Sequence, residues 1–207
     1  MPGLVHVVDD DASFRTAIER RLKLAGYDVA TYASSQDLLD RLPREELQSC
    51  ILLDVQMPGL TGPDLQTRLH ELGSTVPIVF LTGHADTATT VRTIKAGAED
   101  FLTKPVARER LLEAIQRALM HGEQAREQDS RAAALRSLMS QLTAREHDVF
   151  ALLARGKPHK QIAYALGISE RTVKFHRRNV LQKFGARSLA DLAVAADRLG
   201  LLSEPAA

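Results

Sequence analysis

Through the first 120 residues, short apolar runs alternate with longer stretches in which apolar positions recur every three or four residues. The runs Leu4–Val8, Asp28–Tyr32, Ile51–Leu53, Ile78–Leu81 and Asp100–Leu102 predict five strands. The stretches Phe14–Ala25, Ser35–Leu42, Asp64–Leu72, Thr87–Ala96 and Arg108–His121 have helical spacing. Strands and helices alternating in this way imply a parallel sheet with helices on both faces. Three of the strands are almost wholly apolar, as a sheet covered on both sides requires.

The pattern changes after His121. Residues 122–141 are rich in Glu, Gln, Arg and Ala, contain no Pro, and place Leu135, Leu138, Met139 and Leu142 at helical spacing. This predicts a largely helical connector continuing the fifth helix. Four short helices follow. Thr143 and Glu146 form a capping box for the first, and Gly156 ends it. His159–Leu166 is closed by Gly167, a helix capped by Ser169 runs to about Phe184 and Gly185, and Ser188 caps the last, which ends near Gly200. The expected organisation is an α/β domain over 1–120, a linker over 121–141 and a small all-α four-helix domain over 142–207.

Composition fits this division. The chain has 207 residues, 44% hydrophobic and 26% charged, which suits two globular domains. It has no apolar run of the length that spans a membrane. The opening Met1-Pro2-Gly3 lacks the charged region and cleavage site of a signal peptide. The lone Cys50 lies in an apolar run, reads as a buried small hydrophobe, and suits a cytoplasmic location. Charge is uneven: residues 1–120 hold 13 basic and 17 acidic side chains, residues 141–207 hold 11 and 6. A basic back half points toward a polyanion.

Polar residues of the first domain gather where strands end. Strand one runs into Asp9-Asp10-Asp11, strand three into Asp54, strand four into Thr82 and strand five into Lys104. Open parallel sheets bind ligands outside their carboxyl ends, so Asp9 or Asp10, Asp54, Thr82 and Lys104 should converge. Clustered carboxylates need a counter-charge, and a hard cation such as Mg²⁺ (or Mn²⁺) suits oxygen ligands. With Lys104 and the Thr82 hydroxyl this set can stabilise a transferring phosphoryl group, with Asp54 as nucleophile. His6, within strand one, reads as a structural histidine, and Asp86 as plain surface.

The residues Val7-Val8-Asp9-Asp10-Asp11, Asp54 with Met57-Pro58-Gly59 and Gly62, Thr82-Gly83-His84, and Lys104-Pro105 resemble the receiver domain of two-component response regulators. The resemblance covers residues 4–120. It implies a flavodoxin-like, doubly wound five-stranded parallel sheet. By it, Asp54 accepts a phosphoryl group from a sensor histidine kinase. Asp9, Asp10, Asp54 and the Gln56 backbone carbonyl hold the metal, Thr82 and Phe101 form a switch pair, and Lys104 contacts the phosphate ahead of a cis bond to Pro105. Asp11 is expected to cap the first helix. The chemistry implied is self-phosphorylation and autodephosphorylation, with no further enzymatic activity.

In the back half, the helix after Ser169 carries Arg171, Lys174, Arg177, Arg178 and Lys183 against Glu170 alone. Val173, Val180, Leu181 and Phe184 form its apolar stripe. A basic helix after a short helix and a tight turn has helix-turn-helix geometry. Leu142–Glu146, Lys160–Ala163, Leu166–Ser169, Thr172–His176 and Lys183–Ala186 resemble the LuxR-type DNA-binding domain, so the whole chain resembles the FixJ/NarL group, on its FixJ side. That resemblance puts Lys174, Phe175 and Arg178 toward bases, and Lys160, Thr172, His176 and Lys183 toward phosphate or into bracing roles. His159 stands where Asn is usual, and Phe175 where a smaller apolar residue is common.

The function implied is a response regulator that dimerises on phosphorylation, binds promoter DNA and engages RNA polymerase. An alternative is a phosphorylation-independent DNA binder whose receiver serves only for dimerisation. A phosphohydrolase would need a second acid two residues beyond Asp54, where Gln56 stands.

Overall fold

The computed structural model describes residues 3–41, 48–83 and 87–202. His84, Asp86 and the expected end of the second helix at Leu42 lie outside these residues. The chain divides into two compact units, Met1–Arg126 and Glu127–Ala207, with the division falling inside a helix.

The first unit is a five-stranded parallel sheet of β1 (Leu4–Val8), β2 (Asp28–Tyr32), β3 (Ser49–Asp54), β4 (Ile78–Thr82) and β5 (Asp100–Thr103). The strand order is β2-β1-β3-β4-β5. The order reverses at β1 and β3, the place where a doubly wound sheet opens a crevice at its carboxyl edge. Helices α1 (Ala12–Leu24), α2 (Ser35–Asp40), α3 (Gly62–Glu71), α4 (Thr87–Lys95) and α5 (Arg108–Ser140) complete the pattern.

Side chains alternating along β3 explain the two faces. Cys50 and Leu52 enter a core with Ile18 and Leu22 of α1 and Leu111, Ile115 and Leu119 of α5. Ile51 and Leu53 enter another with Leu38 of α2 and Leu65 and Leu69 of α3. Every residue of β3 is buried, which accounts for its unbroken apolar run. Cys50 is fully buried, and burial pushes its thiol up to about 12, so it behaves as a small hydrophobe. His6 is also buried. Its Nδ1 lies 2.9 Å from the Tyr32 hydroxyl, and burial lowers its pKa to about 4, which keeps the ring neutral.

Helix α5 does not stop at His121 but continues to Ser140. Its fully buried residues all precede Met120. Nearer its end Met139 joins the core of the second unit.

The second unit contains α6 (Ala144–Ala154), α7 (His159–Leu166), α8 (Glu170–Phe184) and α9 (Leu189–Arg198). Their core joins Val149, Phe150, Ile162, Val173, Val180 and Leu192. The Phe150 and Phe184 rings stack at 5.0 Å. Thr143 and Glu146 make the capping box, Ser169 and Ser188 cap α8 and α9, and Gly167 and Gly185 turn the chain in the left-handed region.

Glu146 does more than cap. It is buried, and its Oε2 accepts from Lys183 Nζ at 2.6 Å. The Lys183 hydrogen bond, then the Thr143 amide, hold its pKa down to about 2. A depressed carboxylate stabilises the fold fully above its ordinary pKa and progressively less as pH falls through the folded value. Amide protection of α6 and α8 in the intact chain, corrected for intrinsic exchange, should therefore weaken from about pH 5 toward about pH 2. Glu146→Gln should be less protected at neutral pH and lose much of this slope.

Candidate phosphoacceptor site and nucleic-acid interface

Four neighbouring elements bring the front site together. β1 runs into Asp9, which is buried, followed by exposed Asp10. Asp11 caps α1 by accepting from the Ser13 and Phe14 amides at 2.8 and 3.1 Å. Asp54 ends β3, buried, in register with Leu81 of β4. Thr82 follows Leu81 and is fully buried. β5 is tied to β4 where the Lys104 amide donates to the Thr82 carbonyl at 2.6 Å, and the Lys104–Pro105 bond is cis.

Lys104 is the centre of this geometry. Its Nζ lies 2.5 Å from Asp9 Oδ2 and 2.9 Å from Asp54 Oδ2. Burial works against the ammonium, yet the two carboxylates hold its pKa above the ordinary lysine value. At Asp9 burial raises the pKa, and this outweighs the bonds from Lys104 and the Asp11 amide.

Asp9, Asp10 and Asp54 each place a carboxylate oxygen within 4.8 Å of the others. At an effective dielectric of about 20, each such pair repels by roughly 3 kcal/mol or more. Three acids face one lysine, so the cluster keeps an uncompensated negative charge and offers only oxygen donors. That donor set fits a hard divalent cation. The Gln56 amide donates to Asp54 Oδ1 at 3.4 Å, which fixes the turn after β3.

Phe101 is half-buried on β5, its ring 6.2 Å from that of Phe80, against the core that includes Leu53. Thr82 and Phe101 thus lie on adjacent strands.

Two residues near the site escaped sequence reasoning. Arg15 Nη1 donates to the Asp9 carbonyl at 2.6 Å, and the Phe14 ring centroid lies 4.1 Å from Lys104 Nζ. Both sit in the first turn of α1. The Asp11 cap was the available signal, since residues three and four past an N-cap lie beside it.

On α8, Lys174, Phe175, Arg178 and Arg171 are exposed, while Val173 and Val180 are buried, so the basic face and the apolar stripe separate as the spacing predicts. Thr172 belongs to the cap: its amide donates to Ser169 Oγ at 3.1 Å and its hydroxyl lies 2.8 Å from the same atom. His176 is half-buried beside Phe175. Lys160 is exposed on α7. Lys183, besides Glu146, donates to the Gln141 carbonyl at 2.9 Å, so of the two roles expected for it, it fills the bracing one here. Tyr164 on α7, 92% exposed, drew no attention in the sequence.

Comparison with known proteins agrees with both halves. The response regulator receiver domain matches residues 5–116, and the luxR family of bacterial regulatory proteins matches residues 140–196. The chain belongs to the two-component response regulators of the FixJ/NarL family, transcription regulators with a receiver and a LuxR-type DNA-binding domain.

It is 41% identical over 199 residues to nodulation protein W of Bradyrhizobium diazoefficiens, covering 96% of this chain and 87% of that one. The transcriptional regulatory protein FixJ of the same organism is 37% identical over 202 residues, covering 98% of each. Among solved structures, the response regulator StyR superposes with a TM-score of 0.82 at 41% identity, covering 96% of this chain and 100% of that one. Full-length FixJ from B. japonicum gives 0.58 at 36% identity, covering 97% and 98%. No helix among the described residues is long and apolar enough to cross a membrane.

Gly62, which opens α3, shows how tightly Asp54 is held. A Cβ there would run into the Asp54 carbonyl and lie 3.0 Å from the Phe80 ring. Backbone cannot give way as a flexible side chain does. Gly62→Ala should destabilise the receiver unit by about 1–3 kcal/mol, measured by denaturation of the intact chain.

Proposed function

We propose that Asp54 accepts a phosphoryl group from the phosphohistidine of a sensor histidine kinase, and that the phosphorylated chain dimerises and binds promoter DNA through α8. The observation carrying this reading is the single ammonium of Lys104 between Asp9 and Asp54. An Asp54 oxygen forms the bond to phosphorus as the donor's phosphorus–nitrogen bond breaks, and the histidine leaves with the electron pair. Lys104 neutralises charge on the phosphoryl oxygens, and the buried Thr82 side chain offers a hydroxyl. Mg²⁺ (or Mn²⁺), held by Asp9, Asp10, Asp54 and the Gln56 carbonyl, would neutralise the remaining charge. No activity beyond this self-modification and its reversal is assigned.

Phosphorylation adds roughly −1.5 to −2 charges at a site built around one lysine. Lys104 and Thr82 then face a new set of oxygens, and Phe101 on the neighbouring strand responds. This biases the receiver toward the form that pairs. A dimer gains affinity for two half-sites because the second binding event becomes intramolecular. Bound at a promoter, the protein would meet RNA polymerase. The names of its relatives, among them a transcriptional regulatory protein and the response regulator protein TodT of Pseudomonas putida, support a regulator of this kind. The buried thiol of Cys50 suits a cytoplasmic setting.

With a small phosphodonor and Mg²⁺, the wild type should shift toward dimer in sedimentation and bind a promoter fragment more tightly, and Asp54→Asn should do neither. Equal responses in both proteins would leave the receiver as a constitutive dimerisation module.

Lys174→Ala should weaken binding about tenfold and lower its salt dependence by about one counterion. Anisotropy titrations at several salt concentrations read this directly, and an unchanged slope would move the contact elsewhere.

A further inference from the structure

Besides its two acids, Lys104 has an aromatic neighbour. The centroid of the Phe14 ring lies 4.1 Å from Lys104 Nζ, a distance at which a ring face attracts a cation. Phe14 is half-buried and packs against the core that holds Val5 and Val7 of β1 and Leu102 of β5. Its backbone is held as well. Asp11 accepts from the Phe14 amide at 3.1 Å, and the next residue, Arg15, donates to the Asp9 carbonyl at 2.6 Å. The first turn of α1 is thus tied to the strand end that carries Asp9.

The ring and the acids hold the ammonium in different ways. Asp9 and Asp54 each accept one of its hydrogen bonds, and their attraction rests on their charge. Any counter-charge brought to the acids, or a bond formed at an Asp54 oxygen, weakens that attraction. The ring has no charge to be neutralised and no oxygen to be bonded, so its attraction persists through either event. It also covers part of the ammonium's surroundings, and the Lys104 side chain is only 18% exposed.

Lysine carries its charge on a flexible stem, and ordering that stem at the moment of transfer costs entropy. We infer that Phe14 is a positioning residue for phosphoryl transfer, whose ring keeps the Lys104 ammonium beside Asp54 while the hold of the acids changes. The inference rests on the reading of Asp54 as the phosphoacceptor. It adds to that site an apolar side chain that touches none of the reacting atoms.

The test uses acetyl phosphate and Mg²⁺ with the full-length chain, so that no kinase contributes contacts of its own. An Asp54 oxygen bonds to phosphorus, the phosphorus–oxygen bond to acetate breaks, and acetate leaves with the electron pair. Intact-mass measurements follow the phosphorylated fraction with time in the wild type, Phe14→Leu, Phe14→Tyr and Asp54→Asn. Leucine keeps apolar bulk without a ring face, whereas tyrosine keeps the ring. Independently of any reaction, NMR of the metal-free chain reads the Lys104 ε-methylene protons, which a ring face beside them moves upfield.

Phe14→Leu should be phosphorylated about fivefold more slowly, the change that ~1 kcal/mol of cation–π attraction gives. Phe14→Tyr should stay close to the wild type. The Lys104 protons should lie upfield in the wild type and in Phe14→Tyr, and return to the ordinary lysine position in Phe14→Leu. Where Phe14→Leu melts too low to assay, Phe14→Met, also apolar and without a ring, takes its place.

A ringless variant that reacts as fast as the wild type overturns the inference while leaving Asp54 as the acceptor. So do equal losses in the ringless variant and Phe14→Tyr, or wild-type Lys104 protons at the ordinary lysine position. If the wild type gains no phosphoryl group, or Asp54→Asn gains one as fast, the phosphoacceptor reading fails first and the inference falls with it.

Discussion

Three carboxylates within 4.8 Å of one another, two of them buried, are not held together without positive charge. In the receiver that charge comes from one lysine, delivered by a different strand from any of the acids. The acids close β1 and β3, while the lysine closes β5, with β4 between. Parallel strands bring their carboxyl ends to one edge, and the short tie from the Lys104 amide to the Thr82 carbonyl sets how far β5 extends along it. The site thus depends on a sheet register that brings one ammonium group within reach of two acids.

The same arrangement explains why the site is poised. Lys104 is shared between two acids, and neither has it alone. On the phosphorylation proposed above, a new anion at Asp54 would compete with Asp9 for it. Thr82 and Phe101 occupy the next two strands, and the Phe80 and Phe101 rings meet there. A change of charge would then lie next to a packing contact, which is what a switch of this type needs.

Much of this was legible from spacing. The alternation of short apolar runs with helical stretches located all five strands, and Asp9, Asp54 and Lys104, expected to converge at the carboxyl ends of a parallel sheet, do meet. What stayed hidden was the set of contacts made by ordinary-looking side chains. Nothing marks Phe14 as a ring over Lys104 or Arg15 as a donor to the Asp9 carbonyl, because both read as the amphipathic start of a helix. In the second unit the capping box and the glycine turns were plain. The resemblance puts Lys183 toward phosphate or into a bracing role, but its partner stayed hidden. Its bond to Glu146 joins residues 37 apart in sequence, and no local pattern encodes a contact of that range. The extension of α5 to Ser140 follows from a run of good helix formers without proline, which carries the helix through its one glycine, Gly122.

Lys183 holds Glu146 and the carbonyl of Gln141 together. Gln141 is the first residue after α5, and Lys183 is the penultimate residue of α8. The point where the connector is released from its helix and the tail of the reading helix therefore share one ammonium. That joint lies at the end of α8, with Arg178 little more than a turn away. It is a hitch inside the second unit, fastening Gln141, just before α6, and Glu146, in its first turn, to a side chain 42 and 37 positions further along the chain.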